Sequence, residues 1–339
     1  MPAEADDPIT PEQVDEIYAT LIRPTLFGAT PGGENSPTLV LLGGQPGSGK
    51  SRASARLLQE HDGMIAISGD DLRIFHPQYR ELVTTQPEEA GAVLADATRP
   101  WVRTAIQDAL NGRQSLLLEG TFGDPDVALA TAAQFREAGF NVRIVAVASP
   151  RVLSVVTAAS RFLRDRKVGA LARFTSLSAH DRGYDGTSRL IRALNASAAD
   201  RVTIVSRTGL TLFDDASPRH ESSAPSNDAF DALNQGRSPE SWGARSTMEL
   251  LGELKQITAY AIASGELTPE VSELLIEGHT LALRDVVPHL SVDPDSPQAR
   301  FIQQAVSEQV VALRRALTTD PPDVAPSSSP DVSAHVSLD

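Results

Sequence analysis

The sequence predicts an α/β protein with a doubly wound, mainly parallel five-stranded sheet flanked by helices and followed by a helical C-terminal module. Three observations lead to this prediction. Short apolar runs of strand length alternate five times with helical stretches. A glycine-rich loop joins the first apolar run to a helix. After a later polar stretch, apolar residues recur at spacings of three and four, which is typical of amphipathic helices.

The composition is that of a globular protein. The 339 residues correspond to about two domains at roughly 150 residues each. The net charge of −14 means that a polyanion such as nucleic acid would need a local basic site. The absence of cysteine excludes disulfides, cysteine-ligated zinc and a thiol nucleophile.

The first residues, MPAEADDPIT, are acidic and lack the features of a secretory signal. No apolar run approaches the length of a membrane helix. We therefore expect a soluble, cytoplasmic protein.

Residues 1–37 are predicted to form an N-terminal helix and a loop. Thr10-Pro11-Glu12-Gln13 is typical of a helix start, with a capping Thr, Pro in the first turn and a Gln that can reach back to the cap. The helix should extend to about Ile22, and the stretch from Ala29 to Pro37 is rich in Gly and Pro.

Residues 38–213 are predicted to form the α/β domain. The expected strands are Thr38–Leu42, Met64–Ile67, Ser115–Leu118, Val142–Ala148 and Val202–Val205. The expected helices are Lys50–Glu60, Glu88–Asn111, Asp126–Ala138, Arg151–Arg166 and Leu177–Ala198. In such a sheet the ligand lies at the carboxyl ends of the strands.

The composition changes after Phe213. Residues 214–241 are polar and rich in Ser, Pro and Asp, which favours a linker or long loop. Residues 242–318 are predicted to form a helical module, and residues 319–339 have the composition of a disordered tail. The helices expected in the module are Thr247–Ser264, Thr268–Val287 and Ser296–Leu317.

The most specific motif follows the first strand. Residues 44–51 match G-x-x-x-x-G-K-[ST] between an apolar run and a helix. In such a loop, backbone N–H groups cradle phosphates, the lysine reaches the β- and γ-phosphate oxygens, and the following hydroxyl binds Mg²⁺. We therefore expect a nucleoside triphosphate here, with the metal at Ser51. The predicted binding residues are Gly44, Gln45, Pro46, Gly47, Ser48, Gly49, Lys50 and Ser51.

Two other strand ends carry polar side chains beside this loop. The second strand ends in ISGDD, which puts Asp70 and Asp71 where a γ-phosphate would lie. A carboxylate there can take the proton of an attacking hydroxyl or hold Mg²⁺ through water, but an Asp can equally cap the next helix. The third strand ends in LEGT, and both Glu119 and Thr121 can hydrogen-bond a substrate hydroxyl. Glu119 could instead cap the following helix.

Four arginines follow in one region: Arg161, Arg164 and Arg166 near a helix end, and Arg173 in the next loop. Phosphoryl transfer leaves negative charge on the equatorial oxygens, so cations that close over the phosphates would favour it. Arg161 and Arg173 are positioned where such a lid would lie. The alternative, a solvated charged helix face, stays open on residue type alone.

Together these residues resemble the zeta toxin family of P-loop kinases, the toxic members of bacterial toxin–antitoxin pairs. The similarity is carried by Arg161-Phe162 and four segments: GGQPGSGKS at 43–51, ISGDDLRIFHPQY at 67–79, LEGTFGDP at 118–125 and ARFTSLSAHDRGY at 172–184. It covers about residues 10–215, in order and with family-like spacing.

The resemblance implies a P-loop kinase fold and transfer of the γ-phosphate of ATP, with Mg²⁺, to the 3′-hydroxyl of the amino sugar in UDP-N-acetylglucosamine. The product would block cell-wall synthesis. The resemblance makes Asp70 the general base, Lys50 the residue that stabilises the transferred phosphoryl group, and Arg161 and Arg173 ligands of phosphate oxygens.

The resemblance further implies that Asp70, Glu119 and Thr121 contact the sugar nucleotide. Two short family signatures, His76-Pro77 and His180-Asp181, are interpreted as packing or loop-shaping elements. An antitoxin protein is the implied partner, and neither nucleic acid nor a membrane is expected as one.

Two other functions stay open at this point. A kinase for a nucleic-acid end or a small antibiotic hydroxyl could use the same loop and carboxylates. A non-catalytic ATP-binding module could use its C-terminal helices to recognise a partner.

Overall fold

A six-stranded sheet with strand order β2-β3-β1-β4-β5-β6 forms the centre of the protein. The computed structural model describes residues 9–28, 33–194, 198–215, 226–238, 244–290 and 296–318. The first five strands are parallel, and β6 is antiparallel to β5. The prediction of a doubly wound, mainly parallel sheet is confirmed, with one strand more than expected.

The elements follow the predicted alternation of strands and helices. The strands are β1 Thr38–Gly43, β2 Ile65–Ser68, β3 Leu116–Gly120, β4 Asn141–Ala148, β5 Arg201–Ser206 and β6 Thr211–Asp215. The helices are α1 Pro11–Ile17, α2 Arg23–Phe27, α3 Lys50–Glu60, α4 Gly69–Leu72, α5 Tyr79–Thr85, α6 Pro87–Asn111, α7 Pro125–Glu137, α8 Arg151–Lys167, α9 Leu177–Ala193, α10 Ser226–Arg237, α11 Ala244–Ser264, α12 Pro269–Leu281 and α13 Pro297–Thr318.

The N-terminal helix starts as predicted and extends further. Thr10 and Gln13 form a capping box at the start of α1. A π-helical turn, Tyr18–Ile22, joins α1 to α2. The indole N–H of Trp101 on α6 donates to the Val14 carbonyl at 2.8 Å, which attaches this segment to the domain.

Helices cover both faces of the sheet. Successive residues of the central strand β1 point to opposite sides, so they pack against a different layer of helices on each side. Leu39 and Leu41 are buried in the core that α1, α6 and α7 share with one face. Val40 and Leu42 are buried on the other face, against α3. This explains why β1 is a continuous apolar run rather than an alternating one.

The sixth strand corrects the prediction of five. After β5 the chain turns at Gly209, which has φ +88°, and returns as β6. Asp214 on β6 accepts hydrogen bonds from Arg201 and from the Thr203 hydroxyl on β5. Two residues of β6, Leu212 and Phe213, pack against the core, and both are partly buried. Strand β6 therefore lacks the longer apolar run that identified the other strands.

Helix α10 corrects the interpretation of residues 214–241 as a linker. Ala229 and Leu233 on one side of α10 are buried in the core of the sheet. Arg237 stacks over the Tyr184 ring at 3.9 Å and donates to the Tyr184 carbonyl. The helix is held by this face, although most of its sequence is polar. Residues 216–225 and 239–241 of the same segment lie outside the described residues.

The predicted C-terminal helices are present as α11, α12 and α13, and they bury apolar side chains together with α8. Leu254, Leu274 and Leu313 share a core with Val155 and Phe162. The predicted tail, residues 319–339, lies outside the described part of the chain. In that part, no helix combines the length and apolar character needed to cross a membrane.

Candidate functional site

The loop between β1 and α3 has a backbone that requires glycine. Gly47 and Gly49 have φ angles of +76° and +99°. A Cβ on Gly47 would lie 2.2 Å from the Ser154 carbonyl oxygen, so the loop packs directly on α8. Arg207, which follows β5, donates to the Gly47 carbonyl at 2.6 Å. The loop leads into the N-terminus of α3, where free N–H groups and the helix dipole favour an anion.

Lys50 lies at the centre of the charged groups around this loop. Its ammonium donates to the carbonyls of Gly44 at 2.8 Å and Gln45 at 3.3 Å. Burial lowers the pKa of Lys50, and the nearby carboxylates of Glu119 and Asp70 oppose that shift. Ser51, the next residue, is exposed in the first turn of α3.

Asp70 follows β2 and lies between two arginines. Its Oδ1 is 3.1 Å from Arg73 Nη1, and its Oδ2 is 3.3 Å from Arg173 Nη1. The carboxylate is 49% exposed, so a ligand could reach it. Asp71 is also exposed in the same short helix, α4.

Arg73 was not predicted as a site residue. It stands three positions after Asp70, on the same helical turn, and a spacing of three in a helix brings side chains together. The spacing of three from Asp70 is the sequence feature that could have identified Arg73 as a site residue. Its Nε is buried without a hydrogen-bond partner among the described residues.

The end of β3 brings Glu119 next to the loop and to α4. Glu119 is in register with Leu42 of β1 and with Ser68 of β2. Burial raises the pKa of Glu119, whereas Lys50 lowers it. The side chain therefore lies within electrostatic reach of that lysine.

Thr121 is exposed immediately after β3 and faces α9. A Cβ built on Gly183 of α9 would lie 3.0 Å from the Thr121 Cβ and 3.2 Å from the Gln45 Cα. Thr121 and Gln45 of the phosphate loop therefore both lie close to Gly183 of α9. Phe122 follows with a φ of +48°, a conformation unusual for a residue with a side chain.

Arg161 and Arg173 are brought together by the phenylalanines beside them. Phe162 and Phe174 pack edge to face with centroids 5.2 Å apart in a buried core. Arg161 has its pKa lowered by burial and by Arg173, and Asp70 opposes that shift. The Arg161 Nε is buried without a hydrogen-bond partner among the described residues. Both predicted lid arginines therefore lie at the site.

Arg164 and Arg166 do not belong to the site. Arg164 pairs with Glu253 of α11, and Arg166 pairs with Glu266 at 2.8 Å, just before α12. These two arginines attach the C-terminal helices to α8.

The two histidine signatures lie in structural positions. His76 accepts a hydrogen bond from the Gln78 N–H through Nδ1 and shapes the turn before α5. His180 is fully buried between Ser154 and Asp181. Neither imidazole is exposed to a ligand.

Comparison with known proteins identifies relatives across this region. The family model for zeta toxins matches residues 26–217, more than half of the chain. A toxin zeta of Enterococcus hirae is 26% identical over 181 residues, 52% of this chain and 63% of the relative. The toxin PezT of Streptococcus pneumoniae is 28% identical over 154 residues, 44% of this chain and 61% of the relative. The chain thus spans less than two thirds of the length of these curated relatives.

A solved structure supports the fold. The structure from the PezAT chromosomal toxin–antitoxin system of Streptococcus pneumoniae matches with a TM-score of 0.60 at 22% identity. The match covers 74% of this chain and 97% of that one. The fold, the motifs and the family model agree, and this chain belongs to the zeta toxin family.

Proposed function

We propose that this protein is an ATP-dependent kinase for the 3′-hydroxyl of the amino sugar of UDP-N-acetylglucosamine, and that it acts as a zeta-type toxin by blocking cell-wall synthesis. The observation that carries the proposal is the meeting of a buried lysine, two carboxylates and two arginines beside a phosphate loop. Membership of the zeta toxin family supports the same activity.

Asp70 is the proposed general base. The acceptor hydroxyl loses its proton to the Asp70 carboxylate, and its oxygen forms a bond to the γ-phosphorus of ATP. The bond from that phosphorus to the β,γ-bridging oxygen breaks, and ADP leaves with the electron pair. The exposed position of Asp70 at the end of β2 suits a group that must meet an acceptor.

Lys50, Arg161 and Arg173 are the proposed stabilisers of the transferred phosphoryl group. Charge spreads over the equatorial oxygens in the transition state, and fixed cations stabilise it. The Nε of Arg161, buried without a partner in the described part of the chain, is a donor that a phosphate oxygen would satisfy. Arg173 contacts Asp70 in this structure, so we expect it to exchange that carboxylate for phosphate oxygens when ATP binds.

The residues present fit Mg²⁺ carried on the triphosphate. In the described part of the chain, no cluster of three or more acidic, His or Cys side chains could hold a metal ion alone. Mg²⁺ commonly binds through one or two protein groups plus substrate phosphates, and the exposed Ser51 hydroxyl supplies such a group. When bound, the metal would neutralise charge on the β- and γ-phosphate oxygens. The ATP itself would lie on residues 44–51.

Glu119, Thr121 and Asp70 are the proposed contacts for the sugar nucleotide. All three lie at strand ends on the same edge of the sheet: Glu119 is the penultimate residue of β3, Thr121 follows β3, and Asp70 follows β2. Glu119 also raises the pKa of Lys50. A carboxylate and a hydroxyl there could hold the sugar hydroxyls so that one faces Asp70.

We also propose an antitoxin partner and a cytoplasmic location, where ATP and nucleotide sugars are available. The matched structure comes from a toxin–antitoxin system, which supports the first proposal. Residues 38–213 are the proposed kinase domain, and residues 242–318 the proposed helical module.

The direct test incubates the purified protein with Mg²⁺, γ-labelled ATP and UDP-N-acetylglucosamine, and determines the product by mass and NMR. Lys50→Ala is the matched variant, and an oligonucleotide and an aminoglycoside serve as alternative acceptors. We expect a 3′-phosphorylated sugar nucleotide from the wild type and none from the variant.

Label transfer only to another acceptor would replace the proposed substrate while keeping the kinase. If the wild type binds ATP but transfers no label to any acceptor, the proposed activity is wrong.

A further inference from the structure

A line of polar contacts connects the C-terminal helices to the phosphate loop. Each side chain in the line is hydrogen-bonded or ion-paired to the next. In order from the outside, the members are Glu277, Arg151, Asp181, His180, Ser154 and Gln45.

The inner end of the line is Gln45, a buried residue of the phosphate loop. Its side-chain amide donates to the Ser149 carbonyl at 3.0 Å and to the Ser154 hydroxyl at 3.1 Å. A buried amide that loses its acceptor costs free energy, so these bonds fix where the loop lies relative to α8.

The middle of the line is a fully buried imidazole. His180 Nδ1 is 2.9 Å from Asp181 Oδ1, and its Nε2 is 2.8 Å from the Ser154 hydroxyl. Burial lowers the pKa of His180, so the ring is neutral at pH 7. The carboxylate accepts the Nδ1 proton, which leaves Nε2 to accept from Ser154.

The outer end is an arginine shared by two carboxylates. Arg151, the first residue of α8, donates two hydrogen bonds to Asp181, at 2.9 and 2.7 Å. Its third donor binds Glu277 of α12. Glu277 lies outside residues 26–217, the part matched by the family model. The line therefore joins α12, which lies outside the matched region, to the phosphate loop, which lies inside it.

We propose that Glu277 is a positioning residue for the phosphate loop: by holding Arg151 against Asp181, it keeps His180, Ser154 and Gln45 in the arrangement that prepares the loop for phosphate. Without Glu277, Arg151 has one carboxylate instead of two and can move with Asp181. The loop then adopts its binding-competent arrangement in a smaller fraction of the molecules. The apparent affinity for ATP falls in proportion to that fraction. The affinity part of this inference rests on the proposed function, because ATP is the assumed ligand.

The test compares Glu277→Gln with Glu253→Gln. Glu253 also joins a C-terminal helix to α8, because it binds Arg164 and Ser160. Neither Arg164 nor Ser160 belongs to the line of contacts that leads to Gln45. Amide hydrogen exchange of residues 44–49 is measured without nucleotide, together with the thermal midpoint and the Kd for ATP. We expect Glu277→Gln alone to raise loop exchange and to weaken ATP binding by about 3- to 10-fold.

Ser154→Ala breaks the line in the middle with a residue that favours helices, and it should raise loop exchange in the same way. Loop exchange at the wild-type level in Glu277→Gln, or an equal rise in Glu253→Gln, would overturn the inference. The exchange readout does not depend on ATP, so a wild type that binds no ATP would refute the proposed function and leave this test standing.

Discussion

Arg173 Nη1 lies 3.3 Å from Asp70 Oδ2, so a cation from the loop between α8 and α9 rests on the carboxylate that follows β2. Arg73 holds the other oxygen of the same carboxylate. Arg173 must release Asp70 before an acceptor hydroxyl can approach Oδ2, because the guanidinium occupies that oxygen. Nucleotide phosphates would give Arg173 a second anionic partner and allow that release.

Replacing Arg173 with Ala should lower the rate of phosphoryl transfer by about 10²-fold, the usual scale for losing one donor to a transition-state oxygen. Steady-state transfer to UDP-N-acetylglucosamine measures the effect. Arg164→Ala is the matched control on the preceding helix, because the 66% exposed Arg164 pairs with Glu253 outside the site. A similar loss in both variants would remove the special role of Arg173.

Gly183→Ala should weaken ATP binding. The new Cβ would lie 3.0 Å from Thr121 and 3.2 Å from the Gln45 Cα, so either the loop or α9 must move. Isothermal titration with ATP measures the change, and we expect a Kd raised by about 10-fold, equivalent to roughly 1.4 kcal/mol.

The control for Gly183 is Gly252→Ala on α11, where a new Cβ meets no atom within 4 Å. That change should leave the Kd unchanged and stabilise the helix by about 0.5–1 kcal/mol. Equal Kd values for Gly183→Ala and the wild type would mean that the loop does not depend on this contact.

Acid should destabilise the fold through His279. Burial lowers the pKa of His279 to about 4, from 6.5 in the unfolded chain. The unfolded state therefore binds more protons between these values, and stability present above pH 6.5 is lost as the pH falls toward 4. This residue alone should account for about 2 kcal/mol of that loss by pH 5.

Urea unfolding of the wild type and His279→Gln at pH 7.5 and pH 5 checks this prediction. Gln does not titrate and can still bond to Thr258, which contacts His279 Nε2 at 2.9 Å. The variant should lose less stability between the two pH values than the wild type does. Parallel losses would contradict the assignment to His279.

Much of the fold followed from local patterns. Helix α3 has the predicted bounds, Lys50–Glu60, because the phosphate-loop motif fixes its start. The first five strands were found because each contains a short apolar run. In β1 and β4 that run is buried on both faces, whereas Ala66 of β2 is exposed. Strand β6 and α10 were missed because few of their side chains reach the core, and their position depends on tertiary contacts with β5 and Tyr184.

The candidate site was predicted less completely than the fold. The phosphate-loop motif identified Lys50, and strand ends identified Asp70 and Glu119, since parallel strands bring their carboxyl ends to one edge. Gly183 and Glu277 carry no such signal, because they meet the loop only through the packing of α9 and α12. Distant partners of this kind depend on the three-dimensional arrangement and not on spacing along the chain.

The most direct test of the account is the single-turnover rate of phosphate transfer to UDP-N-acetylglucosamine by Asp70→Asn, with the ATP Kd measured on the same preparation. We expect a nearly unchanged Kd and a rate lower by about 10²-fold or more, the scale for losing a general base. Asp71→Asn should transfer phosphate at the wild-type rate. A wild-type rate in Asp70→Asn, or a loss that appears in Asp71→Asn instead, would contradict the account.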